Sequence, residues 1–505
     1  MIKSKWLAVL ILFAPCFMQA QTVTSFEGID ASELENNSVK RDVDPNGSIG
    51  TLQYMEWVNI SLQAWDKSTW APVWKTPITA GSLWANNQNT PDCASNGIRG
   101  DGEVNFDRLA SRWVVSGHST PAVASGKYYY CIAVSNTDDL TASNLTWYTY
   151  EFLLNPFLGT DSKGNPNFPD WPKLGTWPDA YYMGLDILDP SKNYQYVGVL
   201  ACAIDRTNIL TGGTPRNIQC VKTDNGLTYL YHSLEPSDVD GTTAPVSGQD
   251  NIFVSAQAPL RTKGNTQSTL MNLWDFQLDP TWSGNSKFVR SMRTVPAFTP
   301  GCYVPSNPDG TVCVPEPGKK STGGHFLIDS VGDRLEWRLA YRNFGTYQSW
   351  LVSHTIRVGT GSSNRTGIRW YELRNSGAGV PSIHQSGTIN PDTVTYRFMP
   401  GIAQDHDGNA AIGYSVGNTT IHPGIRGSSW SLTKQTKPVE FNILTGGGDQ
   451  ENSTKWGSYV SMTVDPVDDC TFWYVNQYLT ANQTQQNVIW KTKISNFKIS
   501  TCTAR

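Results

Sequence analysis

The segment WGSYVSMTVDPVDDCTFWYVNQY at 456–478 constrains this chain more than any other feature, because it is the clearest copy of a unit that returns in weaker form along most of the length. Residues 458–464 alternate apolar and polar, Asp465-Pro466 with Asp468-Asp469 carry turn chemistry, and 471–478 is rich in aromatic and β-branched side chains. That is a strand, a turn and a strand. GEVNFDRLASRWVVS at 102–116 and PGIAQDHDGNAAIGYS at 400–415 repeat it, an acidic residue closing one strand and a short polar turn opening the next. Units this small cannot bury a core singly, so they must stack.

Strand patterns recur at 51–74, 100–155, 176–205, 251–280, 332–374, 397–430 and 456–495. These make about seven units of roughly 40 to 60 residues, a period that suits propeller blades with some long loops. No helical period of useful length appears, and the connections are too short for tandem sandwiches. The expected fold is all-β, a propeller of about seven blades over 51–505. Ahead of it, 1–20 has the form of a secretion signal: Lys3 and Lys5, the apolar run at 6–15, then Met18-Gln19-Ala20. Residues 21–50 are expected as a polar lead-in with too little apolar surface for a core.

Only 16% of residues are charged and the net charge is -4, with no Lys/Arg stripe able to track a phosphate backbone, so nucleic acid is excluded as a partner. The run at 6–15 is too short to cross a bilayer and no later segment looks transmembrane, so a secreted, extracellular or periplasmic monomer is expected. Beyond the signal stand Cys93, Cys131, Cys202, Cys220, Cys302, Cys313, Cys470 and Cys502, an even set that an oxidising compartment pairs as disulfides. Proximity favours Cys202 with Cys220 and Cys302 with Cys313, while Cys470 with Cys502 would tie down the tail; sequence leaves the connectivity open. No Cys-x-x-Cys or His at ligand spacing occurs, so no metal and no cofactor are expected. DHDGN at 405–409 lacks the later Glu of a calcium loop and fits a hairpin turn. GHSTP at 117–121 lacks the second Gly of a nucleophile elbow.

SNTDDLTASNLTWYTYEF at 135–152 places Asp138, Asp139 and Thr146-Trp147 between a third and a fourth strand, and LDPTWSGNSKF at 278–288 echoes the same corner. Both resemble degenerate Asp-boxes of the sialidase superfamily, without the Gly between Asp and Thr-Trp. GDGEVNFDRLASRW, PKLGTWPDAYYM, GDRLEWRLAYRNF, GIRWYELR, DHDGNAAIGYS and the 456–478 segment together resemble a group of uncharacterised secreted bacterial propeller proteins related to sialidases (BNR-repeat proteins). The resemblance runs in order over roughly 45–500 and implies the fold far better than an activity. Two departures stand out: Ser458 occupies a position where Asp is usual after Trp-Gly, and YRFMPGIAQD at 396–405 replaces a run that normally reads more like RWMGSIAMD.

In a propeller the ligand site lies on the axis, where inner strands begin and entry loops converge. That geometry nominates Arg99, Asp101, Trp177, Asp179, Asp333, Arg334, Arg397 and Trp456 as ligand-binding residues, with catalytic residues unassigned. Arg99, Arg334 and Arg397, drawn from separate blades, would clamp a carboxylate, and Asp101 or Asp179 would serve as acid or base if desolvated. On the strand at 334–342, Arg334, Glu336, Arg338 and Arg342 share a face, and pairing between blades is the favoured reading of it. The expected function is binding of an extracellular glycan or cell-surface ligand at the axial mouth by a non-catalytic adhesion module. The alternative is a glycoside hydrolase or polysaccharide lyase acting on an acidic polysaccharide.

Overall fold

A computed structural model describes residues 22–503 apart from 35–42, 88, 96–97, 99, 120–125, 224–228, 260–266, 303–311, 318–326, 361–363, 451–452 and 485–487. The expected signal at 1–20 and Arg99 lie outside the described residues. Five four-stranded antiparallel sheets and one eight-stranded sheet hold most of the described chain. The eight-stranded sheet is two four-stranded meanders joined where Ser237–Asp240 pairs in parallel with Leu339–Arg342. Each four-stranded unit opens on an inner strand. In chain order these are Asn46–Ile49, Glu103–Asp107, Phe168–Thr176, Glu235–Asp240, Glu336–Asn343, Tyr396–Gln404 and Ser461–Val464. Each lies against the next, and the last lies against the first, so the inner strands form a closed ring around an axis.

The chain ends close the ring. Thr24–Asp30 pairs antiparallel with Trp490–Lys498 and becomes the outer strand of the seventh sheet. The described part of 21–50 is therefore not a lead-in apart from the core; it supplies that edge strand and the first inner strand. TSFEGID reads as polar because an edge strand covers little apolar surface, and NGSI reads as polar because it lines the axis. The same contrast runs through the molecule. Inner strand Glu235–Asp240 is buried along its whole length, whereas outer strand Lys287–Phe298 alternates exposed and covered positions.

Apolar side chains fill the wedges between neighbouring sheets. Val114, Ile132 and Val134 of the second sheet pack against Leu174, Met183, Leu185 and Leu200 of the third, each large aliphatic contributing about 1.5–3 kcal/mol of transfer free energy. The turn expected at 136–146 does join the third and fourth strands of the second sheet. It also stitches sheets together, because Thr51 Oγ1 and Gln53 Nε2 of the first sheet donate to Asp138 and Asp139 at 2.6 and 3.0 Å. DHDGN is a hairpin turn, with Asp405 accepting from the backbone of Asp407 and Asn409 at 3.0 and 2.8 Å.

Four disulfides form: Cys93–Cys131, Cys202–Cys220, Cys302–Cys313 and Cys470–Cys502. His406 Nδ1 lies 3.8 and 3.5 Å from the sulfurs of Cys470 and Cys502, but sulfurs bonded to each other offer no thiolate to a metal. Protein starting at residue 21, unfolded without reductant, is expected to show no free thiol on titration; two or more per chain would refute the pairing. Among the described residues no helix is long and apolar enough to cross a membrane.

Candidate functional site at the axial mouth

One position in each inner strand faces the axis at the same level. Asn46, Glu103, Glu235, Glu336 and Ser461 begin their strands, and Lys173 and Gly401 are the first paired residues after a bulge in theirs. Four consecutive sheets thus bring Glu103, Lys173, Glu235 and Glu336 together, none more than 1% exposed. Lys173 Nζ lies 3.7 Å from Glu103 Oε1. Glu103 Oε2 accepts the Leu174 N–H at 2.5 Å, and Glu235 Oε1 accepts the Ser233 hydroxyl at 2.5 Å. Among the described residues, Glu235 Oε2, both Glu336 oxygens and Lys173 Nζ have no hydrogen-bond partner.

A carboxylate is costly in such a place, and the protonated acid is cheaper. Burial pushes Glu103 and Glu336 well above the ordinary carboxyl range against the opposing pull of nearby cations, and raises Glu235 to about 7. Glu56, buried between the first and seventh sheets and accepting the Ile29 N–H at 2.9 Å, is raised by burial to about 8. These acids bind protons in the folded state that the unfolded chain has released, so their contribution is complete below the ordinary value of 4.5. It is lost as pH climbs through 7 and 8. The melting temperature should fall between pH 5 and 8.5, and Glu56→Gln should flatten that slope; a flat or rising wild-type profile would show the acids to be ionised.

Two residues ahead of the ring, Asp44, Asp101, Trp171 and Ser233 adopt φ of 40, 50, 56 and 55°. Asp tolerates the left-handed region; Trp does not, at a cost of order 1–3 kcal/mol. Contacts hold Trp171 there. Its Nε1 donates to Ser233 Oγ at 3.0 Å, the Arg334 guanidinium sits 4.5 Å over its ring, and Tyr459 lies 4.9 Å away, ring to ring. Those partners come from the fourth, fifth and seventh sheets, so the indole lies across the axis. Lys173 Nζ is 3.4 Å from the Tyr459 ring centroid.

Carboxyls rim this platform. Asp101 is partly exposed, and burial, then the charges of Asp170 and Asp44, hold its carboxyl well above the usual range. Asp44 accepts from Ser458 Oγ at 2.8 Å. Asp333 holds the Arg334 guanidinium at 2.9 and 3.4 Å, and Asp186 stands 3.8 Å from Arg334 Nη1 and 2.6 Å from His232 Nδ1. Among the described residues the mouth carries these carboxyls beside Arg334, Lys173 and Lys455, and the Arg334 guanidinium is already engaged.

The nominated residues divide. Asp101, Asp333 and Arg334 stand at the mouth. Trp177 follows the third inner strand at the far end, 4.7 Å from Tyr341, and Asp179 accepts there from the Tyr182 hydroxyl at 3.2 Å. Trp456 is core, its Nε1 donating to Ser415 Oγ at 3.0 Å. Arg397 is fully buried within its own sheet, its Nε and Nη2 donating to Glu440 and Asp392 at 2.6 and 2.5 Å. The convergence of Arg99, Arg334 and Arg397 on the axis is corrected accordingly: Arg397 points along the sheet, away from the axis, because its carboxylate partners lie there. Arg397→Ala is expected to destabilise the protein by about 1–3 kcal/mol, since the charge-assisted bonds to Asp392 and Glu440 are lost although Glu440 keeps Arg426 at 2.9 Å, while leaving glycan binding unchanged by calorimetry.

Reasoning from sequence missed Glu103, Lys173, Glu235 and Tyr459, whereas Trp171 was among the tryptophans able to stack on a sugar ring. A signal existed in the spacing: Asp101-x-Glu103, Trp171-x-Lys173, Ser233-x-Glu235, Arg334-x-Glu336 and Tyr459-x-Ser461 are equivalent pairs. The far end of the axis is closed by ions. Arg338 donates to Asp238 and Asp240 at 2.8 and 2.5 Å, Arg342 to Asp469 at 2.7 Å, and Arg108 lies 3.5 Å from Asp240 and 3.8 Å from Asp469. This is the pairing between units expected for Arg338 and Arg342.

No family model matches this chain, and no curated protein does. Solved structures do resemble it. An α-L-arabinanase of Penicillium chrysogenum complexed with arabinobiose is 8% identical, with 95% of this chain and 99% of that one covered at a TM-score of 0.41. An α-L-arabinofuranosidase of Fusarium graminearum is 8% identical over 95% of this chain and 98% of that one, also at 0.41. A Hadza microbial sialidase is 10% identical over 91% and 66%, at 0.39. Likeness this loose carries nothing about substrate or any single residue. These neighbours are described as an arabinanase, an arabinofuranosidase and a sialidase, and against them the expectation of a non-catalytic binding or adhesion module is withdrawn, with no activity passing from them to this chain.

Proposed function

We propose that this chain is a secreted glycoside hydrolase on a seven-bladed propeller, acting at the axial mouth with Asp101 as general acid. The observation that carries the reading is the Asp101 carboxyl, reachable from solvent yet held well above its ordinary range by burial and by the charges of Asp170 and Asp44. A carboxyl that holds its proton above the ordinary range can give it to a glycosidic oxygen as the C–O bond breaks, and Asp170 is the second carboxyl standing beside it. The Trp171 and Tyr459 rings supply the apolar surface on which a sugar ring rests.

The substrate class follows from charge. Among the described residues Asp44, Asp170, Asp186 and Asp333 stand around the mouth with the protonated Asp101; Lys173 and Lys455 lie near them, and Arg334 is already held by Asp333 and Asp186. An acidic polysaccharide would be repelled, so the substrate is a neutral glycan. The test is release of reducing ends from neutral polysaccharides such as arabinan, xylan and galactan, beside pectate and sialylated glycans, between pH 4 and 8. Cleavage of a neutral substrate supports the reading; inactivity on every substrate, or cleavage confined to the acidic ones, sinks it.

A further inference from the structure

Outside the ionic seal at the far end of the axis lies a cavity of about 210 Å³, walled by the fourth to seventh sheets through Thr242, Thr243, Arg342, Phe344, His406 and Asp469. It is several times the roughly 30 Å³ share of one water and below the size of a drug pocket, which suits a single sugar ring.

Its groups are fixed before anything binds. Arg342 donates from Nε to Gln404 O at 3.2 Å and from both Nη atoms to Asp469 at 2.7 and 2.8 Å, which leaves two of its five N–H donors. Gly241, at φ 76°, lets the fourth-sheet loop pass close to this guanidinium; a Cβ there would come within 2.8 Å of Arg342 Nη1. Phe344 stacks on Tyr347 at 4.8 Å, and Tyr347 in turn carries the Arg374 guanidinium 4.1 Å above its ring. An aromatic held in such a column loses little freedom on meeting a ligand.

Charge decides the ligand class. Arg108, Arg338 and Arg342 face Asp238, Asp240 and Asp469, three charges of each sign, so this cluster leaves no net charge to draw an ion. Beside the His406 imidazole stand an aromatic ring, two exposed threonine hydroxyls and two further Arg342 N–H groups, a set that an uncharged polyol with one apolar face satisfies. We propose that this cavity is a second, non-catalytic binding site for one residue of a neutral saccharide, on the face opposite the mouth. It stands independently of the hydrolase reading.

Saturation-transfer NMR with L-arabinose, D-xylose, D-galactose and D-glucose, and with inorganic phosphate as the ionic probe, tests it on wild type, Phe344→Ala, Thr243→Trp and Asp101→Asn. At least one sugar should give a signal whose affinity falls roughly five- to tenfold in Phe344→Ala, the scale of one lost stacking contact. The signal should also fall when Thr243→Trp fills the cavity, and persist in Asp101→Asn. Because residue 243 is exposed, Thr243→Trp carries the test if Phe344→Ala fails to fold. The proposal is overturned if no sugar binds, if both far-face variants bind as wild type does, or if phosphate alone binds. A signal lost only in Asp101→Asn places the sugar at the mouth, which overturns this site while leaving the hydrolase reading intact.

Discussion

Asp101→Asn should lower kcat/KM on a neutral glycan by about 10²–10⁴, the usual contribution of a positioned general acid. The amide keeps the shape of the carboxylic acid and removes the proton it donates. It also removes a group that burial and the charges of Asp170 and Asp44 oppose when ionised, so the variant should melt no lower than wild type. That combination separates chemistry from folding. Wild-type activity should fade on the alkaline side as Asp101 loses its proton, and the residual activity of the variant should lack that limb. An Asp101→Asn protein retaining a tenth or more of wild-type kcat/KM would remove Asp101 from the mechanism. So would an unchanged alkaline limb.

Arg338→Ala should cost about 3–5 kcal/mol, a large part of a typical stability of about 5–15 kcal/mol, because it takes the bonded cation from two buried carboxylates and leaves Asp240 only the looser contact with Arg108 at 3.5 Å. Asp238 is 7% exposed and Asp240 1%, and Arg338 reaches both at 2.8 and 2.5 Å while also facing Met462 O of the seventh sheet at 3.4 Å. The loss is therefore not local. It loosens the fourth, fifth and seventh sheets where they meet across the axis. Adding Asp238→Asn and Asp240→Asn to Arg338→Met should recover most of the deficit, since the penalty comes from uncompensated charge rather than from lost packing. Chemical unfolding measures both. A single-variant cost below 1 kcal/mol, or a triple variant no better than the single, would mean that solvent reaches these carboxylates.

What the sequence determined by itself was the repeat. Alternating apolar residues, aromatic and β-branched runs, and Asp-rich turns are local properties, so 456–478, 102–116 and 400–415 announce strand, turn and strand without help from the rest of the chain. The short-loop cysteine pairs were legible for the same reason, since proximity along the chain limits proximity in space. Inner strands were harder. Asn46–Ile49 and Glu235–Asp240 are polar because they line the axis, and a search for apolar alternation passes over them. Only the closed ring could reveal that Glu103, Lys173, Glu235 and Glu336, far apart in sequence, stand at one level around one axis. The fates of two arginines make the same point. Arg334 and Arg397 both sit near the start of an inner strand and look alike in sequence, yet one packs on Trp171 at the mouth and the other turns into its own sheet toward Glu440 and Asp392. Direction of that kind depends on which carboxylates the fold brings within reach, a matter of tertiary contact that local pattern does not carry.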